Sequence, residues 1–199
     1  TDQAVIPPAG EVVLTIKGDG VTTPREFTLA QLEAMNQYQE VYSSINTWPT
    51  KSWYVGKGVR LRDLLNEAGV KGNAQQIKFK SRDGYYTTLT IQELFVDQRY
   101  CFPNFESGGI EGHIPGSSSG ARTVEPILAL VSASGTNNAD YMNDNDALLL
   151  MLGQRAVTEQ TGPLFVKNVN EIEVLTTSPG KWAEPTAEQD RGRLQRVLR

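Results

Sequence analysis

The chain holds one cysteine, Cys101, and one histidine, His113, in 199 residues. A lone cysteine forbids an internal disulfide and leaves the redox compartment open. A lone histidine, with no cysteine or second histidine at ligand spacing around it, removes the usual pattern of a zinc site. No apolar run approaches the roughly 20 residues that cross a bilayer, so no membrane span is expected. An excess of positive charge is lacking as well: 19 Lys and Arg stand against 23 Asp and Glu, for a formal net charge of -4. A surface that neutralises a nucleic-acid backbone needs the opposite balance, so neither DNA nor RNA is an expected partner. GxxxxGK and GxGxxG are both missing. A P-loop and a dinucleotide fingerprint therefore lack their sequence sign.

The chain is long enough for a sizeable core, with 39% hydrophobic residues, 21% charge and 18 glycines. That balance fits a soluble, loop-rich globular protein. The expected organisation is a lead-in over residues 1–10, one domain over 11–180 and a polar tail over 181–199. The polar, proline-bearing lead-in resembles the mature start left by removal of a signal peptide. Export to a periplasmic or extracellular location is thus one expectation, and a cytoplasmic location the other. In the tail, Leu194, Val197 and Leu198 stand at helical spacing, on a segment expected to form a surface helix or to fray.

The clearest element is a helix over Val59–Ala68, with Leu61, Leu64, Leu65 and Ala68 on one face and Gly69 where a left-handed C-cap is wanted. Before it, Trp48 and Trp53 flank Pro49 and Thr50, and Gly56 and Gly58 bracket Lys57, which reads as a sharply turning aromatic loop that lines something. Glu11–Lys17 alternates as a strand and runs into the Gly18-Asp19-Gly20 turn. Thr28 is a candidate N-cap for a short helix with Leu29, Leu32 and Met35 on one face. Residues 38–45 are β-rich. Gln76–Lys80 and Tyr85–Leu89 form a hairpin about Asp83-Gly84, and Thr90 with Glu93 has the capping-box pattern ahead of a third short helix. Residues 102–120 read as a long exposed loop that buries little. Glu125–Ser132 is a buried apolar segment, Ala147–Leu152 a buried strand by length though periodicity leaves a helix open, and Leu164–Val166 and Glu171–Leu175 the last strands.

Several residues admit two kinds of chemistry. Asp140, Asp144 and Asp146, interleaved with Asn137, Asn138, Asn143 and Asn145, supply the hard oxygens a calcium loop uses. They lack the glycine and terminal glutamate of an EF-hand, and the competing reading is a solvated turn. Cys101, between Tyr100 and Phe102, is either a small buried hydrophobe or a thiolate. Trp48, Trp53 and Tyr54 either stack on a flat ligand or pack on the core.

Taken in series, Phe27-Thr-Leu-Ala-Gln-Leu32, Ser44-x-x-x-Trp48, Gly58-Val-Arg-Leu-Arg-Asp-Leu-Leu-x-x-Ala68-Gly69, Ser81-x-Asp83-Gly84-Tyr85 and Val166-Lys167-x-Val169-x-x-Ile172-x-Val174 resemble the molybdopterin-binding domain of the sulfite oxidase type. The resemblance covers about residues 12–175 and implies an α+β fold, a mixed β-sheet with short helices and long loops. In that family a cysteine separated from the tryptophan by three residues gives molybdenum a thiolate beside the pterin dithiolene, since the metal calls for soft sulfur. Here that position falls on Ser44. The family also carries a Gly-x-Pro-(Leu/Val)-Arg stretch that helps hold the cofactor, where this chain has Gly162-Pro163-Leu164-Phe165. An anionic pterin phosphate needs donors or positive charge, and Lys51, Lys57, Arg60 and Arg62 match no cofactor contact of the family.

The resemblance therefore implies a divergent member that has lost molybdenum ligation, holds no metal and serves as a binding or interaction module for a small-molecule ligand or another protein domain. The alternative it implies is a molybdopterin-dependent oxidoreductase moving oxygen atoms or electrons, with Ser44 or water at the metal. Serine ligates molybdenum in a different molybdoenzyme family. Ser44, Asn46 and Trp48 are the candidate cofactor-binding residues, and no catalytic residue is identified.

Overall fold

The computed structural model describes residues 10–47, 50–106 and 116–178. The expectations placed on the lead-in, on Trp48, on His113 and on the tail fall outside these residues. The elements are β1 (Val12–Lys17), β2 (Arg25–Thr28), α1 (Leu29–Ala34), β3 (Gln37–Ile45), β4 (Lys51–Arg60), α2 (Leu61–Ala68), β5 (Gln76–Ser81), β6 (Tyr86–Thr90), β7 (Tyr100–Cys101), β8 (Arg122–Thr123), β9 (Ile127–Ser134), β10 (Leu149–Met151) and β11 (Val169–Leu175). Strands dominate, so α+β holds only loosely.

Two larger sheets share one core. The first runs β2-β1-β11-β5-β6 and is mixed, because β1 and β11 pair in parallel while its other ladders are antiparallel. The second, β10-β9-β4-β3, is antiparallel throughout. Strands β7 and β8 form a small third sheet. Leu14, Ile16, Ile77, Phe79, Ile172 and Val174 of the first sheet join Tyr42, Val59, Leu128 and Leu150 of the second in a single buried cluster. Helix α2 adds Leu61, Leu64, Leu65 and Ala68 to it, the face its spacing indicates. Gly69 closes that helix at φ 72°, a left-handed conformation that glycine adopts without the Cβ penalty.

Local capping signals are realised. The Thr28 Oγ1 accepts from the Gln31 N–H at 3.2 Å while the Gln31 carboxamide accepts from the Thr28 N–H at 2.9 Å. Thr90 and Glu93 make the same reciprocal pair at 3.0 and 3.1 Å, ahead of a single π-helical turn, Gln92–Val96.

Four expectations are corrected. The aromatic loop before α2 is a ten-residue strand from Lys51 onward, paired with β3 on one side and β9 on the other. Gly56 and Gly58 do not turn the chain; a Cβ at Gly58 would collide with the Leu128 carbonyl and one at Gly56 with the Met151 sulfur. These glycines admit a close neighbour in mid-strand. Leu29 is 45% exposed, because α1 has only six residues and turns Leu32 alone fully inward. Residues 164–166 do not form a strand, since Gly162–Leu164 is a 3-10 turn begun by Pro163. The stretch after Cys101 buries Phe102 and Phe105 completely enough to join the interior.

Candidate functional site

Ser44, on the penultimate position of β3, is 1% exposed. Its Oγ lies 2.9 Å from the Oγ1 of Thr161, which is fully buried. A hydroxyl both donates and accepts, so this pair satisfies itself without water. Thr161 begins the 3-10 turn at Gly162–Leu164, and Gly162 packs so near Asn46 that an added Cβ would meet the Asn46 Cα at 3.0 Å. The turn lies across the end of β3 as a cover. Asn46 itself is exposed and accepts from the Thr50 N–H at 2.9 Å through its side chain. The structure thus brings Ser44 and Asn46 to one strand end but turns them to different surroundings.

Sequence reasoning missed the buried polar network that starts next to Ser44. Ser43 Oγ donates to Gln154 Oε1 at 2.6 Å and accepts from the Phe102 N–H at 3.0 Å. Gln154, fully buried, donates onward to the Glu159 carbonyl at 2.8 Å. Arg99, 3% exposed, donates to the Glu93 carbonyl at 2.7 Å, to the Gly153 carbonyl at 2.9 Å and to the Glu159 carboxylate at 2.8 Å. Burial pulls the Arg99 pKa down, and the Glu159 carboxylate opposes that shift. Each of these is an isolated polar residue in the sequence, and only the fold assembles them.

Phe165 stands where the resemblance places an arginine. Its ring is buried, 4.6 Å from Tyr54 and edge-on to Tyr42 at 6.3 Å. Burial raises the Tyr54 pKa, with a smaller contribution from Asp146. Trp53 meets Phe105 edge to face at 4.7 Å. Both Trp53 and Tyr54 are therefore engaged in packing. Tyr85, from the Ser81-x-Asp83-Gly84-Tyr85 hairpin, donates through its hydroxyl to the Pro163 carbonyl at 2.9 Å and ties the hairpin tip to the same cover.

Cys101 is buried beside the Ser43 backbone and the Arg122 guanidinium, and burial pushes its thiol upward more than either neighbour lowers it. Of the cations near the α2 motif, Arg60 pairs with Asp63 at 3.0 Å and lies over the Tyr38 ring, and Arg62 pairs with Glu125. In the Asn/Asp stretch, Asn138 and Asn143 turn their side-chain oxygens onto the N–H groups of Asp140 and Asn145, the behaviour of Asx turns. Among the described residues no group of three or more His, Cys, Asp or Glu is placed to hold a metal. None of their helices is long and apolar enough to cross a membrane.

The described residues thus form a strand-rich, two-sheet scaffold with a buried serine near the end of β3. Over residues 4–101 the sequence matches the oxidoreductase molybdopterin binding domain. Among solved structures, the sulfane dehydrogenase SoxCD from Paracoccus pantotrophus aligns at 16% identity and a TM-score of 0.44, over 83% of this chain and 38% of that one. The chain spans well under half the length of that structure's chain. No curated protein matches the sequence.

Proposed function

We propose that this is a divergent molybdopterin-binding-family domain that no longer ligates molybdenum and acts as a binding or interaction module, for a small-molecule ligand or another protein domain. The observation that carries this is the Ser44–Thr161 hydroxyl pair. At the position where the family presents a thiolate, the donors are two neutral hydroxyls 2.9 Å apart, bonded to each other and sealed from solvent. Molybdenum in such a site calls for soft sulfur and room for the pterin dithiolene, and this donor set offers neither. Phe165 argues the same way, since a buried ring replaces the cation that an anionic cofactor needs. The residues present do not fit the group, and no chemical step is derived through it.

The second reading, a molybdopterin-dependent oxidoreductase with Ser44 or water at the metal, is supported by the family match over residues 4–101. The two separate by elemental analysis for molybdenum, together with fluorescence of oxidised pterin, on protein made in a host that synthesises the cofactor. Wild type and Ser44→Cys are both expected to lack stoichiometric molybdenum. Stoichiometric metal and pterin in the wild type would overturn the proposal and restore the oxidoreductase.

A further inference from the structure

A second cavity lies away from Ser44, between the π-helical turn at Gln92–Val96 and residues 123–126, with a volume of about 340 Å³. That is near the lower end of the roughly 300–1,000 Å³ typical of small-ligand pockets. Leu94, Phe95, Val96, Val124 and Pro126 give it apolar walls. Phe95 and Val96 are 37% and 60% exposed, an unusual placement for two adjacent large apolar side chains. They sit on a π turn, a distortion that recurs at functional sites.

The polar lining is more selective. Four charged side chains face the cleft, and each already has an ion partner: Arg62 with Glu125, Asp97 with Arg155, and Arg99 with Glu159. No uncompensated charge is left to attract an ion. What is left is a donor: Nη2 of Arg99 is the one buried side-chain polar atom among the described residues without a hydrogen-bond partner. Buried donors are almost always satisfied, so this one calls for an acceptor.

We propose that this cleft binds a small uncharged molecule that presents a carbonyl-type acceptor to Arg99 and an apolar body to Phe95, Val96 and Val124. The acceptor completes the guanidinium's bonds, and the balanced charges around it give a carboxylate no advantage over an amide. The exposed edge of Phe95 covers the apolar body from solvent.

Benzamide, benzoate and toluene probe this directly, since they share a ring and differ in acceptor and charge. Titrations followed by 15N–1H spectra of the full chain are expected to show saturable shifts at residues 94–99 and 123–125 with benzamide. Its Kd is expected at least tenfold below that of toluene and no higher than that of benzoate. Arg99 is not the residue to change, because its bonds to Glu93, Gly153 and Glu159 hold the surrounding chain. Phe95→Ala leaves those bonds in place and is expected to weaken benzamide at least threefold. Thr123→Trp, at the cleft wall, is expected to abolish the shifts. Absence of saturable shifts, a preference over toluene below tenfold, tighter binding of benzoate, or benzamide binding unchanged in Phe95→Ala would each overturn the proposal. If Thr123→Trp fails to fold, the ligand series and Phe95→Ala decide it alone.

Discussion

The closed state of the Ser44 position yields a sharp energetic prediction. Ser44→Ala leaves the Thr161 hydroxyl buried without this partner, and Thr161→Val, nearly isosteric, does the same to Ser44, because among the described residues each is the other's only side-chain partner. An orphaned buried hydroxyl costs about 1–3 kcal/mol, whereas replacing both members with apolar groups of similar shape is nearly neutral. Each single variant is therefore expected to lose about 1–3 kcal/mol. The double variant is expected to lose no more than either single, which gives a coupling of at least about 1–3 kcal/mol. Equilibrium urea unfolding at constant m-value reads the difference, and Tm should move by roughly 2–4 °C per kcal/mol for a chain of this size. Independent sites add within about 0.3–0.5 kcal/mol. Additivity within that margin would mean that the two hydroxyls do not meet in solution and that Ser44 faces open space. The proposal of a filled cofactor position would then lose its central observation.

Two further outcomes arise from burial. Phe165→Arg places a charge between Tyr42 and Tyr54 and removes a buried ring, so it is expected to cost at least about 3 kcal/mol by urea unfolding; a loss under about 1 kcal/mol would show that the site has room for the family's arginine. Stability should also fall at alkaline pH, because burial raises the Cys101 pKa above its ordinary 9.0 and the Tyr42 pKa well above 10.0. The unfolded chain releases these protons first, so stability is intact below about pH 9 and declines above it, by up to about 1.4 kcal/mol per pH unit for each group. Stability that stays level to pH 11 would contradict it.

The parts of the fold legible in the sequence are those that short-range chemistry decides. The apolar face of α2, the Asp83-Gly84 hairpin, the Thr28 N-cap and the Thr90–Glu93 capping box depend on residues within a few positions of each other. Gly56 and Gly58 were misleading because a glycine that bends the chain and a glycine that admits a neighbour look alike in sequence. Which one it is depends on Leu128 and Met151, which are remote in the chain. Leu29 was misassigned for a related reason: a helical face is defined over several turns, and α1 is too short to have more than one inward residue. At the site, Ser44 was found through its spacing from Trp48, but its partner lies 117 residues later. No local signal marks Thr161 or Gln154, whose importance comes only from where the turn at Gly162 lands.

The distribution of these parts along the chain bears on the proposed filling of the cofactor position. The family match ends at residue 101 and contains β3, β4, α2 and the Ser81–Tyr85 hairpin. The groups that meet Ser43, Ser44 and the Tyr42 and Tyr54 rings, namely Gln154, Thr161 and Phe165, all come later. On the proposed reading, a hydroxyl in place of a thiol would change one ligand and leave a pocket, whereas the bonded Thr161 and the packed Phe165 take up the space itself. Ser44→Cys alone therefore restores the ligand without restoring the space, and this is why it is expected to remain free of molybdenum. Reopening the site requires displacing a turn held by Ser44 and Tyr85 through two hydrogen bonds, to Thr161 and Pro163, each at 2.9 Å. At about 1 kcal/mol net for each bond, that is a sizeable part of a typical domain's stability of roughly 5–15 kcal/mol. The cover is thus an integral part of the fold, and a ligand for this domain is better sought at a surface that is already open.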